Sequence, residues 1–294
     1  MRVAKNGSDD NLRSFDQWLL RLGNGTLPHV VPGSEMIWIS VEKCITINAN
    51  SKALRQQGMR EVINFVFPNL TARFTDRQWL SERTILASKN TANDEINNFL
   101  LSQLRGEEII CKSADSTVDL DDATHYTKEY LNTINSSGMP AHRIVLKINC
   151  PLILLCNLNP SEGLCNGTRL ILNKSLGNVL HCTIVVGTDD GREVFIPRIT
   201  LKPNEEEGHP VEWQRRQFPV RVAFAMTIIK SQGQTLSTVV VWLEEEVFGH
   251  GQLYVASSRV GHPDNIMFAI KPQQGFPPNA TRNVVYREIL SGAY

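Results

Sequence analysis

Phe224–Trp242 reads FAMTIIKSQGQTLSTVVVW. Two apolar runs flank a polar knot, Lys230-Ser231-Gln232-Gly233-Gln234-Thr235. Short apolar runs bounded by a turn containing glycine are expected to be buried strands of an α/β sheet. A loop at the carboxyl end of a parallel strand is where such sheets bind ligands. Lys230 supplies a positive point charge, and Thr227, Ser231 and Thr235 supply hydroxyls. Gly233 lets backbone N–H groups come close to a phosphate. The knot therefore has two readings, a site for polyphosphate or a nucleic-acid backbone and a plain hydrogen-bonded turn.

Twenty residues downstream stands GQLYVASSRVGHP, a helix expected over Gly251–Val260. Arg259 near the helix end, Gly261 as its C-cap and Pro263 beyond form an ordinary helix stop. Alternatively Arg259 projects towards a phosphoryl group across a cleft, where such an arginine contributes roughly three to five orders of magnitude in rate. NIMFAI follows as a strand, and Thr281–Leu290 is expected to be a last helix.

Upstream, the spacing predicts helices over Leu12–Leu22, with Asp9 or Asp10 as its cap, and over Leu54–Phe67, stopped by Pro68. Arg83–Ala87 is a short strand, Ser88-Lys89-Asn90 a polar turn, and Ile96, Phe99, Leu100 and Leu104 follow at helical spacing. That is the strand–loop–helix unit of a parallel sheet. EEIICKS reads as another strand. From about Leu131 to Pro219 the pattern changes to short strands separated by turns, with Asp190-Gly191 marking a hairpin. VRVAFAM then reads as one buried strand, and the α/β pattern resumes.

Thirty basic and thirty acidic residues cancel, so a nucleic-acid partner would have to be held by a local basic surface. The six cysteines form no C-x-x-C pair and no zinc-ligand spacing, and read as reduced intracellular thiols. No apolar run reaches the ~18 residues of a membrane helix, so no membrane partner is expected. Seven N-x-[ST] triplets have no signal peptide before them and read as chance matches. There is no Gly-Lys dipeptide, and hence no phosphate loop of the Gly-x-x-x-x-Gly-Lys-[Ser/Thr] kind. Asp94-Glu95, the one pair that could imitate a magnesium motif, does not end an apolar strand and reads as first-turn helix acids. No metal site is expected.

The two motifs in this order resemble motifs V and VI of superfamily 1 helicases, most closely the petite integration frequency (Pif-type) 5′-to-3′ DNA helicases. FDQWLLRLGNGTLP, LSERTILASKNTANDEIN, and GMPAHRIVLKINCPLILLCNLNPSEGLCNGTRLIL also resemble family segments, in the family's order. The resemblance implies an α/β fold: a RecA-like parallel-sheet domain, the second of the two helicase motor domains, interrupted by a small SH3-like β-barrel. The expected divisions are 1–130 and 219–294 for the RecA-like domain and 131–218 for the insert.

It further implies that Arg259 contacts the γ-phosphate, with Arg2 resembling the other arginine that reaches it. Gly233 and Gln234 would lie near the nucleotide. Thr227, Lys230, Ser231 and Gln232 would lie near single-stranded DNA, and Ser88 and Asn90 would touch its backbone. His142, Lys147 and Arg169 are read either as lining the DNA path or as exposed surface charge. Two departures stand out: Ile229 where His or Asn is common, and Ser257 where Leu is usual. Met1-Arg2 resembles the middle of a family member, so the chain is expected to be a C-terminal half. The first RecA-like domain, which carries ATP and Mg, would then be its partner, and the chain alone would bind neither and show no ATPase. The alternatives are a non-catalytic single-stranded nucleic-acid-binding module and a decayed remnant. The resemblance implies a nuclear location.

Overall fold

Strands Ala225–Thr227, Arg83–Ala87, Thr238–Leu243, Ile266–Ile270 and Cys44–Thr46 lie side by side in that order, every neighbouring pair parallel. The computed structural model describes residues 10–48, 51–119, 121–187, 189–286 and 288. Ile85, Leu86 and Val239–Val241 are fully buried. Continuous apolar runs of this kind, rather than alternation, mark strands covered on both faces.

The helix Asp10–Gly23 buries Phe15, Leu19 and Leu22, and Lys52–Val66 buries Met59, Val62, Ile63 and Val66, as their spacing predicts. The second stops at Phe67, where Pro68 cannot continue it. Asp10 is the first residue of its helix, and Asp9 lies outside the described residues. Asn90–Gln103 follows the strand Arg83–Ala87, completing the expected strand–loop–helix unit. The helix expected over Thr281–Leu290 is corrected over residues 281–286, while residues 287, 289 and 290 lie outside the described residues. Ala280–Arg282 is a strand, antiparallel to Met36–Trp38, and residues 283–286 have no regular structure.

Contacts divide the chain into two compact units. One holds the described residues up to Leu70, Glu82–Phe99 and those from Phe224 onwards; the other holds Thr71–Ser81 and Leu100–Ala223. The second unit therefore starts well before residue 131 and ends after 218. Both differences have a strand-pairing cause. Ile109–Lys112 pairs with Arg143–Leu146, and Ala114–Thr117 with Trp213–Gln217, which draws residues 109–117 into this unit. VRVAFAM is two strands, not one. Val220–Val222 pairs antiparallel with Pro151–Leu154, whereas Ala225–Thr227 joins the parallel sheet.

The second unit is built on antiparallel pairing. A five-stranded sheet runs Glu193–Pro197, Val179–Ile184, Arg169–Ser175, Pro151–Leu154 and Val220–Val222. Asp190-Gly191 turns its first hairpin, with Gly191 at φ +86°. A three-stranded sheet of Ile199–Leu201, Trp213–Gln217 and Ala114–Thr117 packs Trp213 against Leu131, Met139 and Val211. At its centre Arg215 and Asp115 form an ion pair with both side chains fully buried.

Candidate functional site

The strand Ala225–Thr227 runs directly into a turn of 3₁₀ helix, Ile228–Ser231. Gly233 then takes a left-handed φ of +86°. An added Cβ there would meet nothing within 4 Å, so glycine is needed for conformation and not for room. The loop closes on itself: the amides of Gln232 and Gln234 donate to the carbonyls of Ile229 and Ser231 at 3.1 and 3.0 Å. Gln234 Nε2 donates to the Lys230 carbonyl at 3.1 Å.

The expected site residues divide by exposure. Gln232 and Gly233 are exposed, and Thr227, Lys230 and Gln234 are half-buried. Ser231 is fully buried and its hydroxyl donates to the Ile228 carbonyl at 2.7 Å, so it supports the turn instead of facing a strand. Ile229, the apolar departure, is 62% exposed at the tip.

Arg259 lies just beyond the helix Gln252–Ser257, shorter than the Gly251–Val260 span expected, and is buried against this loop. Its Nε donates to the Val255 carbonyl at 2.7 Å and one terminal nitrogen to Ser258 Oγ at 2.7 Å. The other terminal nitrogen reaches the carbonyls of Ser231 at 3.2 Å and Gln234 at 3.4 Å. Leu236 N–H donates back to the Arg259 carbonyl at 3.0 Å. The two motifs are thus one hydrogen-bonded body. The guanidinium expected to project across a cleft is folded inward onto the carbonyls of Ser231 and Gln234.

Ser257 is fully buried, and its Oγ has no hydrogen-bond partner among the described residues. A buried hydroxyl left unsatisfied costs about 1–3 kcal/mol. Ser257→Ala is therefore expected to raise stability by about 1 kcal/mol, read as a higher melting temperature. A lower one would show that the hydroxyl is satisfied.

Ser88, Lys89 and Asn90 stand at the carboxyl end of the strand Arg83–Ala87, the neighbour of Ala225–Thr227 in the sheet. Ser88 is half-buried, its Oγ donating to the Glu245 carbonyl at 3.1 Å; Lys89 is ion-paired with the Glu245 carboxylate. Asn90 is exposed and opens the helix Asn90–Gln103. Asp94 and Glu95 are therefore second-turn, not first-turn, residues. Glu95 is ion-paired with Arg55, whose Nε also donates to Glu244 at 2.5 Å. Those hydrogen bonds hold the Glu244 carboxyl below the usual carboxylate range. Arg2 lies outside the described residues.

One residue at the site escaped the sequence reading. Asn97, on the inner face of the helix Asn90–Gln103, is 3% exposed. Its Nδ2 donates to the Ala225 carbonyl at 2.9 Å, and the Ala225 amide donates to its Oδ1 at 2.8 Å. Ala225 opens an edge strand, and Asn97 supplies the hydrogen bonds that a further strand would otherwise provide. The available signal was Asn93 and Asn97, four apart, in line with Leu100, Leu101 and Leu104 on the buried face.

In the second unit, two of the three expected cations are corrected. Lys147 is buried, its Nζ donating to the Leu104 carbonyl at 2.9 Å. Arg169 is 1% exposed, donates to the carbonyls of Ser81 and, at 3.3 Å, Ala223, and burial pushes its pKa down to about 10. Both cap carbonyls in the interior and are neither surface charge nor lining. His142 is half-buried against Ser113 at 2.7 Å, and burial holds it below the usual imidazole range.

The described residues thus hold a parallel α/β sheet, with the loop 228–234 at the carboxyl end of its edge strand, and a separate antiparallel unit. Residues 129–174 match the family described as DNA helicase Pif1, 2B domain. The chain is 27% identical over 234 residues to the ATP-dependent DNA helicase Pif1 of Bdellovibrio bacteriovorus, covering 78% of this chain and 49% of that protein. Its fold is similar to the crystal structure of Pif1 helicase from Candida albicans, with TM-score 0.58 and 19% identity over 95% of this chain and 56% of that one. It is similar too to Pif1 helicase from Bacteroides in complex with ADP-AlF3 and ssDNA, with TM-score 0.57 and 15% identity over 99% and 54% of the two chains. The chain is similar to these Pif1 helicases, and it spans about half the length of each of them.

Proposed function

We propose that this chain is the second motor domain of a Pif-type ATP-dependent DNA helicase, gripping single-stranded DNA through the loop Thr227–Gln232 and the turn Ser88–Asn90, with Gly233 and Gln234 towards the nucleotide. The observation that carries the reading is Arg259. One side chain joins the end of motif VI to both Ser231 and Gln234, so a movement at the nucleotide edge is felt at the DNA edge. In the whole enzyme, ATP and Mg would be held by the first RecA-like domain, and Arg259 would turn outward to the γ-phosphate as the domains close. ATP-driven 5′-to-3′ movement and duplex unwinding belong to that assembly. The antiparallel sheets of the second unit support reading it as the SH3-like insert.

A second reading is a non-catalytic single-strand-binding module. The inward guanidinium of Arg259, committed to four local oxygens, favours it.

Both readings require the loop to bind a nucleic-acid backbone. Fluorescence anisotropy with a labelled oligo(dT), across a salt series, tests that. Wild type is expected to bind more weakly as salt rises. Lys230→Ala is expected to bind roughly five-fold more weakly at low salt, with a log–log slope shallower by about 0.7, the loss of one phosphate contact. Salt-insensitive binding, or identical isotherms for the two proteins, would contradict the assignment.

A further inference from the structure

We propose that Glu245 is a built-in competitor for the DNA backbone at the turn Ser88–Asn90. The inference rests on reading that turn as a strand contact, and it concerns how the contact is regulated.

The strand Thr238–Leu243 delivers three consecutive acids, Glu244, Glu245 and Glu246, to the carboxyl edge of the sheet. Their surroundings differ. Glu244 is clamped by Arg55, with Nε and a terminal nitrogen at 2.5 and 2.6 Å. Glu246 is in no ion pair among the described residues. Glu245 is held over the candidate contact at two points: its carbonyl accepts from Ser88 Oγ at 3.1 Å, and its carboxylate pairs with Lys89. The main-chain bond fixes where Glu245 stands, and the side chain then occupies the cation.

A carboxylate and a phosphodiester each carry one negative charge, and both ask for the same ammonium donor. The Lys89–Glu245 side chains are 55% and 46% exposed, so the pair is solvated and exchanges readily. An arriving phosphate takes Lys89, and Glu245, left without its partner, recruits a cation from solution. Cation uptake by Glu245 offsets the counterion released from the phosphate. The competitor therefore lowers both affinity and the apparent salt dependence.

The test uses the full chain and the same labelled oligo(dT), with circular dichroism confirming that each variant is folded. Glu245→Gln is expected to bind three- to five-fold tighter than wild type at low salt, with a log–log slope steeper by about 0.7. The gain should vanish when Lys89 is absent, so Lys89→Ala and Lys89→Ala/Glu245→Gln should bind equally. Glu246→Gln controls for the loss of one negative charge nearby and should stay close to wild type. No gain in Glu245→Gln overturns the proposal. So does an equal gain in Glu246→Gln or on the Lys89→Ala background, because the effect is then general charge. If wild type binds with salt sensitivity, Lys230→Ala weakens it and Glu245→Gln changes nothing, the competitor alone is wrong. If wild type does not bind, both the competitor and the strand contact fall.

Discussion

Replacing Asn97 with leucine is expected to destabilise the motor unit by about 2–4 kcal/mol, although the substitution adds apolar surface to a buried face. The reason is that two backbone groups depend on one side chain. The amide and carbonyl of Ala225 point away from the sheet's own ladder and, among the described residues, meet the carboxamide of Asn97, at 2.8 and 2.9 Å. Leucine satisfies neither, and each buried group left without a partner costs about 1–3 kcal/mol. The damage should be local first. Hydrogen exchange at the Ala225 amide is the sharpest readout, because its protection in wild type comes from Asn97 Oδ1. Asn98→Leu, one residue along on the exposed face, should leave that amide protected. Equal protection in Asn97→Leu and wild type would mean that the strand is held by something else.

The second large effect is expected at Asp115. Its carboxylate receives Arg215 Nε at 3.0 Å on both oxygens and a terminal nitrogen at 2.7 Å. The same guanidinium donates to the carbonyls of Pro140, Leu131 and Ile134 and lies 4.8 Å from the Trp213 ring centre. Asp115→Ala leaves a fully buried cation without its counter-charge, and a change of that kind costs about 3–5 kcal/mol. Removing both charges should cost less than removing one. Asp115→Ala/Arg215→Met is expected to recover part of the loss, since buried pairs exchanged for packed apolar groups are often close to neutral. Urea denaturation followed by tryptophan fluorescence, with Trp18, Trp38, Trp79 and Trp242 replaced by phenylalanine in every variant so that Trp213 alone reports, reads this unit. A double variant as unstable as the sum of the singles would show that the carbonyl contacts of Arg215, and not the ion pair, hold these strands.

The parallel sheet and the first two helices were legible in the sequence, because burial on one stripe or on both faces leaves a period in the residues themselves. Val239–Val241, and the spacing of Phe15, Leu19 and Leu22, carry that information without any partner being known. Two features were not legible. VRVAFAM has the composition of one buried strand, and only the partners show that Val220–Val222 belongs to one sheet and Ala225–Thr227 to another. Lys147 and Arg169 look like surface cations because a side chain's charge is visible in sequence, while the carbonyls that receive it are not. The candidate site was half legible. The loop residues follow from chemistry that glycine, lysine and hydroxyls carry locally. The inward turn of Arg259 and the clamp of Asn97 depend on backbone atoms 25 and 128 residues away.

The position of Arg169 has a consequence for how the chain reaches this fold. Thr84 and Phe224 meet across 140 residues of sequence, and joining segments so far apart is entropically slow. Arg169 draws together the carbonyls of Ser81 and Ala223, the last residues of the inserted unit on either side of that gap. Of the four ends of the segments Thr71–Ser81 and Leu100–Ala223, two, Ser81 and Ala223, are held by one guanidinium. The expected consequence is that, wherever these contacts have formed, pairing Arg83–Ala87 with Ala225–Thr227 closes a much shorter effective loop.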